Sequence, residues 1–355
     1  MSGRPLKFRH EVIDANPPGS EHDITLIFDV NGDDRNDIVI GGKAGPVNLF
    51  WYENPTWQRH DIAFSPGLEA GGVAIDINGN GRLDIVAGQQ YNGNELYWFE
   101  CPEDPAQPWP RHLIEDRFTK YHDQAIGDVD GDGEDEIVII SQLSGVLGYY
   151  DIPKDPYAEP WPRESFHLLA EGVAQHTEGL VVVDIDGDGE NEIIAGTNIL
   201  RRGQGGKWAM EPFAVEEEFL CPRVAVCDLD GDGRLEMVIV EAERPGARLA
   251  ICRQPDWKPE VMRSDLFHAH SLAIADFTGS GRGDIFVAEM GLGKNENPRM
   301  FVYLNKGGDF EEMLISEGIP THEAKVGDLT GNGRPDIVGK AYDPQRHIDV
   351  WFNES

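Results

Sequence analysis

The sequence predicts an all-β fold, a seven-bladed β-propeller. Its four-stranded antiparallel blades are closed into a ring by the N-terminal strand pairing with the last blade. Three observations predict it. A twelve-residue acidic motif recurs seven times, the copies stand one blade apart, and the strand that the last copy lacks is found at the start of the chain.

The motif copies are DVNGDDRNDIVI from Asp29, DINGNGRLDIVA from Asp76, DVDGDGEDEIVI from Asp128 and DIDGDGENEIIA from Asp184, then DLDGDGRLEMVI from Asp228, DFTGSGRGDIFV from Asp276 and DLTGNGRPDIVG from Asp328. Each places an apolar strand on either side of an acidic loop. An aromatic third strand follows, ending near proline, as in LFWYENP at 49–55, LYWFECP at 96–102 and LGYYDIP at 147–153. Fourth strands begin WQRHDIAF at Trp57, WPRHLIED at Trp109 and WPRESFHLL at Trp161. Short β-branched and aromatic runs bounded by Gly, Pro and Asn are strands joined by turns. The last unit stops after its third strand, HIDVWFNES, and LKFRHEVID at 6–14 supplies the fourth, echoing the RH-x-I core of WQRHDI. Closure removes two sheet edges that would otherwise seek partners.

Residues 1–355 are thus read as a single propeller domain. Its 41 Gly, 23 Pro and mean hydropathy of -0.42 suit a turn-rich chain. The formal charge of -34 argues against nucleic acid, whose phosphates need clustered Lys and Arg. No apolar run approaches the ~18 residues of a membrane helix, so no membrane partner is expected. Cys101, Cys221, Cys227 and Cys252 form no CxxC pair and read as free thiols. The first residues lack an apolar signal-peptide core, which gives a cytoplasmic location as the expectation.

Positions one, three, five and nine of each loop carry oxygen side chains, the ligand type that calcium takes from alternate residues of a tight loop. The expected calcium ligands are Asp29, Asn31, Asp33 and Asp37 in the first blade, and Asp76, Asn78, Asn80 and Asp84 in the second. In the third, fourth and fifth they are Asp128, Asp130, Asp132, Glu136; Asp184, Asp186, Asp188, Glu192; and Asp228, Asp230, Asp232, Glu236. Four close carboxylates without a cation repel one another. The sixth and seventh loops (Asp276, Thr278, Ser280, Asp284 and Asp328, Thr330, Asn332, Asp336) keep two carboxylates each and can hold their turns by hydrogen bonding alone.

Each innermost strand should start at one mouth of the channel. Six residues before the successive first aspartates stand Asp23, Ala70, His122, Glu178, Pro222, His270 and His322, and adjacent positions add His22, Glu69, His176 and His268. Six of the 11 histidines therefore share one level. Such a collar suits a further divalent metal or a sugar-sized ligand, since imidazole binds transition metals and moves protons near neutral pH. The bland alternative is a set of polar plugs above a wet channel. The connections after each second strand should open on the same face with Lys43, Gln90, Tyr91, Arg201, Arg202, Glu241, Glu289, Lys294, Lys340 and Tyr342, and TNILRRGQGGKW at 197–208 is long enough for a lid.

The loops resemble the FG-GAP/VCBS repeats of integrin-type and related bacterial and fungal propellers, departing in the Glu at position nine of three blades. With its WYENP and W-x-RH-x-I elements, the chain is also similar to the propeller domain of the aldos-2-ulose (anhydrofructose) dehydratases. That resemblance implies a carbon–oxygen lyase performing β-elimination on a keto-sugar or uronate-type small carbohydrate. It implies His122, His270 and His322 as metal ligands or base, His176 with Glu178 as acid/base partners, and Tyr91 as a further proton donor. The fungal dehydratases carry an additional domain after the propeller, so their full activity is not implied. The other class of function is a non-catalytic, calcium-stabilised propeller that presents a face to a glycan or protein.

Overall fold

The structure, a computed structural model, describes residues 6–64, 66–173, 177–215 and 218–355. Among these, the strands assemble into seven four-stranded antiparallel sheets, six of them in chain order. The first blade is typical: Ser20–Phe28, Asp37–Ala44, Leu49–Glu53 and Gln58–Ala63. The seventh joins Lys325–Gly327, Asp336–Lys340 and Ile348–Asn353 to Phe8–Asp14, so the ring closes as expected.

Both faces of every blade are covered by a neighbour, so strands such as Leu49–Glu53 read as continuous apolar runs. Alternate residues go opposite ways: Leu49 and Trp51 pack on the second blade, Phe50 and Tyr52 on the seventh. The core is accordingly divided into seven apolar clusters, one at each seam between blades. Near the axis the innermost strands crowd. A Cβ at Gly127 would lie 2.6 Å from Val182 Cγ1 of the next blade, which only glycine avoids.

Two expectations need correction. The echo between the N-terminal strand and the other fourth strands holds with an offset of one residue. His10 lies opposite Trp351, where the first blade sets Arg59 opposite Tyr52. Phe352 occupies the place of Glu53, the carboxylate that His60 uses; shifted by one, His10 lies against Trp351 as His60 does against Trp51, but takes Asp349 Oδ1 at 2.7 Å as its carboxylate. The segment 197–208 is no lid. It forms the hairpin of Asn198–Gly203 and Lys207–Pro212, the outer half of the fourth blade. Arg201 and Arg202 therefore run to the opposite face, where they meet Asp186 and the Asp130 carbonyl of the acidic loops.

Removing residues 6–14 is expected to strip the partner from Ile348–Asn353 and leave an open edge in an otherwise closed ring. Size-exclusion chromatography with light scattering should show aggregates where the full chain is a discrete species.

Candidate active site at the channel mouth

The acidic loops close one face of the propeller. In each, the first aspartate accepts backbone N–H groups across the turn: Asp128 Oδ1 from Gly131 at 2.7 Å and Oδ2 from Gly133 at 3.0 Å. Both glycines have positive φ, the reason for glycine there. Position nine divides the blades into two kinds. Where it is Asp, both oxygens are spent on backbone N–H groups: Asp37 accepts from Val30 (3.0 Å) and Asn54 (2.8 Å), and Asp84 from Ile77 (3.1 Å) and Cys101 (2.8 Å). Where it is Glu, one oxygen accepts from Val129, Ile185 or Leu229. These are the blades in which three acids converge: Asp128, Asp130, Glu136; Asp184, Asp186, Glu192; and Asp228, Asp230, Glu236, with ligand atoms within 4.8 Å of one another. The fifth-position Asp132, Asp188 and Asp232 stand outside these sets and accept N–H groups two residues on. Burial pushes Glu136 and Glu192 up to about 7, and raises Glu236 as well.

The channel mouth lies at the other face. Before the innermost strands, Glu21, Lys120, Cys221 and His268 adopt left-handed backbone (φ +45° to +62°). Each kink precedes by two residues a side chain of the channel: Asp23, His122, Arg223 and His270. Such conformations are costly for residues with a Cβ and gather at functional sites. The mouth is a cavity of about 350 Å³, whose lining includes Asp23, Lys43, Glu69, His122, Glu178, Glu243, His270, His322 and Tyr342. That volume falls in the ~300–1,000 Å³ range of small-molecule sites.

Of the expected residues, His122, Glu178, His270 and His322 meet here, buried. His176 lies outside the described residues. Tyr91 is 57% exposed on the rim and does not line the cavity. His22 sits behind the wall, its Nε2 2.9 Å from the Pro18 carbonyl and its pKa lowered by burial to about 4. His268 packs on Phe267.

His270 is the hub. Its Nε2 stands 3.1 Å from Glu243 Oε1 and 3.5 Å from Glu178 Oε2, while Nδ1 is 3.0 Å from Glu323 Oε1. Burial and Arg223 oppose its charge, yet the surrounding carboxylates carry its pKa up to about 9. His322, whose ring centroid is 4.3 Å away, is held neutral by burial and by the charge on His270. His122 is raised: burial opposes its charge, but Glu178 (3.5 Å) and Asp123 (2.7 Å) prevail. Lys43 joins Asp23 and Glu69, each at 2.7 Å, and donates to Tyr342 Oη at 3.3 Å. Lys340 is fully buried, bonds the His322 carbonyl at 2.6 Å, and is lowered by burial to about 7.

The floor of the mouth comes from the next level down, five residues before the first aspartates. Arg223 of the fifth blade crosses the channel, bonding Asp123 Oδ1 of the third at 2.9 Å and Glu323 of the seventh, with its guanidinium 3.1 Å from His270 Nδ1 of the sixth. Beneath it lies a polar cavity of about 110 Å³.

Glu178, Glu243 and His270 offer three metal-ligating atoms within 4.8 Å of one another. Glu178 Oε2 is buried without a hydrogen-bond partner, its nearest cations at 3.5 Å (His270) and 3.8 Å (Arg223). Ligands ~2.1 Å from one ion stand about 3.0 Å apart in octahedral and about 3.4 Å apart in tetrahedral geometry, and His270 Nε2 lies 3.1 Å from Glu243 Oε1 and 3.5 Å from Glu178 Oε2. The residues fit a divalent cation.

Sequence reasoning missed Glu243, Arg223, Asp123 and Glu323, and a signal existed for each. Fourteen residues after the first aspartates stand Lys43, Gln142, Met290 and Tyr342, all lining, with Glu243 one place further on. The level five before, one step along the innermost strand, holds Asp123, Arg223 and Glu323.

Fold and loops together define a seven-bladed propeller carrying FG-GAP-like repeats; the repeat matches residues 29–87 and 76–139. Cartilage acidic protein 1 of Homo sapiens is 27% identical over 192 residues, 45% of this chain and 29% of that protein. The Mus musculus protein of the same name is 27% identical over 146 residues, 32% of this chain and 22% of that one. The chain thus spans less than a third of either relative. Among solved structures, BBS1N in complex with ARL6DN aligns over 98% of this chain and 96% of its own (TM-score 0.55, 11% identity). The exotype rhamnogalacturonan lyase YesX aligns over 96% and 75% (TM-score 0.56, 12% identity). At those identities the likeness is one of fold.

Proposed function

We propose that the channel mouth is the active site of a carbon–oxygen lyase acting by β-elimination on a keto-sugar or uronate-type carbohydrate. The observation that carries this reading is the convergence of Glu178, Glu243 and His270 beside a neutral His322 in one sugar-sized cavity. His322 donates Nδ1–H to the His22 carbonyl at 3.2 Å, which leaves Nε2 as a proton acceptor. It removes the proton from the carbon next to the substrate's carbonyl or carboxylate. The C–H electron pair becomes the new C=C bond as the adjacent C–O bond breaks. The departing oxygen takes that bond's electrons and a proton from His122, which Asp123 and Glu178 keep charged. Environments that push neighbouring pKa values apart assign acid and base in this way. A divalent ion held by Glu178, Glu243 and His270 would supply Lewis-acid stabilisation of the enolate charge. Calcium belongs to the convergent loops of the third, fourth and fifth blades, as a stabiliser of the scaffold. A lyase neighbour of the same fold is consistent with this chemistry and no more specific than that.

The test pairs metal analysis of dialysed protein with a screen of keto-sugars and uronates for unsaturated product. Wild type is expected to hold one divalent ion beyond the loop calcium, and Glu178→Gln/Glu243→Gln to lose that ion. His322→Ala should keep the ion and lose roughly 100-fold or more in rate. Identical metal content in wild type and the double variant would overturn the metal centre, and a wild type that eliminates none of the sugars would overturn the lyase.

A further inference from the structure

We propose that Lys120 and Tyr91 form a carboxylate-reading subsite on the rim of the mouth, so that the ligand is an acidic sugar, a uronate, and not a neutral keto-sugar. The inference rests on the carbohydrate reading above and chooses between its two substrate classes.

The other cations of the mouth have carboxylate partners. Lys43 is held by Asp23 and Glu69, Arg223 by Asp123 and Glu323, His270 by Glu243 and Glu323, and His122 by Asp123 and Glu178. Lys120 lines the same cavity, yet no carboxylate of the described residues pairs with it. The nearby Glu69 is already taken by Lys43 at 2.7 Å. In a chain of net charge -34, a cation facing a cavity with no carboxylate of the described residues at ion-pair distance is conspicuous. Screening limits the reach of distant surface acids to roughly 8 Å at physiological salt, so this local charge governs what docks beside it.

Lys120 is also built into place. Its backbone is left-handed (φ +62°), its N–H donates to the Gly93 carbonyl at 3.2 Å, and its own carbonyl accepts from Gln142 at 2.9 Å. The preceding Thr119 is pinned by Ser144 Oγ (2.8 Å) and Ser141 Oγ (2.7 Å). The turn therefore holds its shape and aims the ammonium at the rim. What the ammonium meets is the ring of Tyr91, 5.3 Å from Nζ to centroid, on the loop that includes Gly93. Tyr91 is the most exposed aromatic side chain among the described residues that bear on the mouth.

The face of an exposed aromatic ring turned away from its cation stacks on the C–H face of a pyranose, and the cation beside that ring bonds a carboxylate on that pyranose. A neutral keto-sugar would use the ring and leave the ammonium idle. A uronate uses both, and the cation also draws charge from the carbon whose proton is removed.

The test measures binding without turnover. Methyl glycosides of glucuronic and galacturonic acid, and of glucose and galactose, are titrated into the full chain and followed by calorimetry or ligand-observed NMR. At least one uronoside is expected to bind tenfold or more tightly than its neutral counterpart. Lys120→Met should abolish that preference, Lys120→Arg should keep most of it, and Tyr91→Ala should weaken acidic and neutral sugars alike. Unchanged melting temperatures certify the variants' folds. Equal binding of acidic and neutral sugars, a preference that survives Lys120→Met, or no binding of any uronoside would each overturn the subsite. A Lys120-dependent preference without elimination product would keep the subsite and sink the lyase, so the two readings fail separately.

Discussion

Arg223→Met is expected to destabilise the protein by about 3–5 kcal/mol, the usual consequence of removing one partner from a buried ionic network. Arg223 is 7% exposed, and its guanidinium bonds Asp123 and Glu323 and faces Glu178, three carboxylates that are themselves buried. Burial alone would raise the pKa values of Asp123 and Glu323, and Arg223 heads the influences that hold them down. Without it Asp123 keeps only His122 and Glu323 only His270 and Lys325, so these acids either ionise under-compensated in a dry channel or take up protons, and both cost stability. Urea unfolding followed by tryptophan fluorescence reads the loss. Adding Asp123→Asn and Glu323→Gln to Arg223→Met should recover much of it, because the penalty comes from charges left behind and not from lost packing. A shift below about 1 kcal/mol, typical of exposed pairs, would mean that the channel is wetter than its burial implies. The network draws on the third, fourth, fifth and seventh blades, so the same variant should broaden the unfolding transition.

The melting temperature of chelator-treated protein is expected to fall as pH rises from about 4.5 to about 7, and calcium is expected to remove most of that slope. Glu136 and Glu192 have an ordinary value of 4.5 and are pushed by burial to about 7 in the fold. Between those values these glutamates bind more protons in the folded state than in the unfolded chain, so their share of the stability declines with rising pH, against a smaller opposite share from His22 and His322, whose values are lowered by burial. A cation that replaces the proton reverses the preference, and a site at a hundredfold excess over its Kd adds about 2.7 kcal/mol. Asp37 and Asp84, raised to about 6 and with both oxygens on backbone N–H groups, contribute a calcium-insensitive part that ends near pH 6. Scanning calorimetry at four pH values with and without calcium separates the two. The triple variant Glu136→Gln, Glu192→Gln, Glu236→Gln should lose the calcium response, and with it the part of the pH slope that calcium removes from wild type. An equal calcium response in wild type and triple variant would place the ions in other loops.

Much of this protein is written in local pattern. The acidic loop needs an aspartate at its head, glycines where φ is positive and an acid at position nine. All of these fall within nine residues, so Asp128, Gly131, Gly133 and Glu136 are enough to specify it. The same holds for the closing strand at 6–14, since an unpaired third strand at Ile348–Asn353 demands a partner. Spacing from these landmarks also brought His122, Glu178, His270 and His322 to one level, because every innermost strand starts at a similar distance from its loop. What sequence alone left open depends on which blades face each other across the channel. Nothing near Arg223 in the chain indicates that Asp123 and Glu323, a hundred residues away on either side, will meet its guanidinium. The cation-fitting set became Glu178, Glu243 and His270, and not the three histidines, because His122 turns to Asp123 while Glu243 reaches in from a connection. The one-residue offset of His10 has the same origin, as Phe352 and Asp349 settle which register is satisfied. Short-range hydrogen bonding and turn sterics act within a repeat and are visible in it. Pairing across the axis depends on ring closure and on the competition of buried charges for partners, which only the assembled propeller decides.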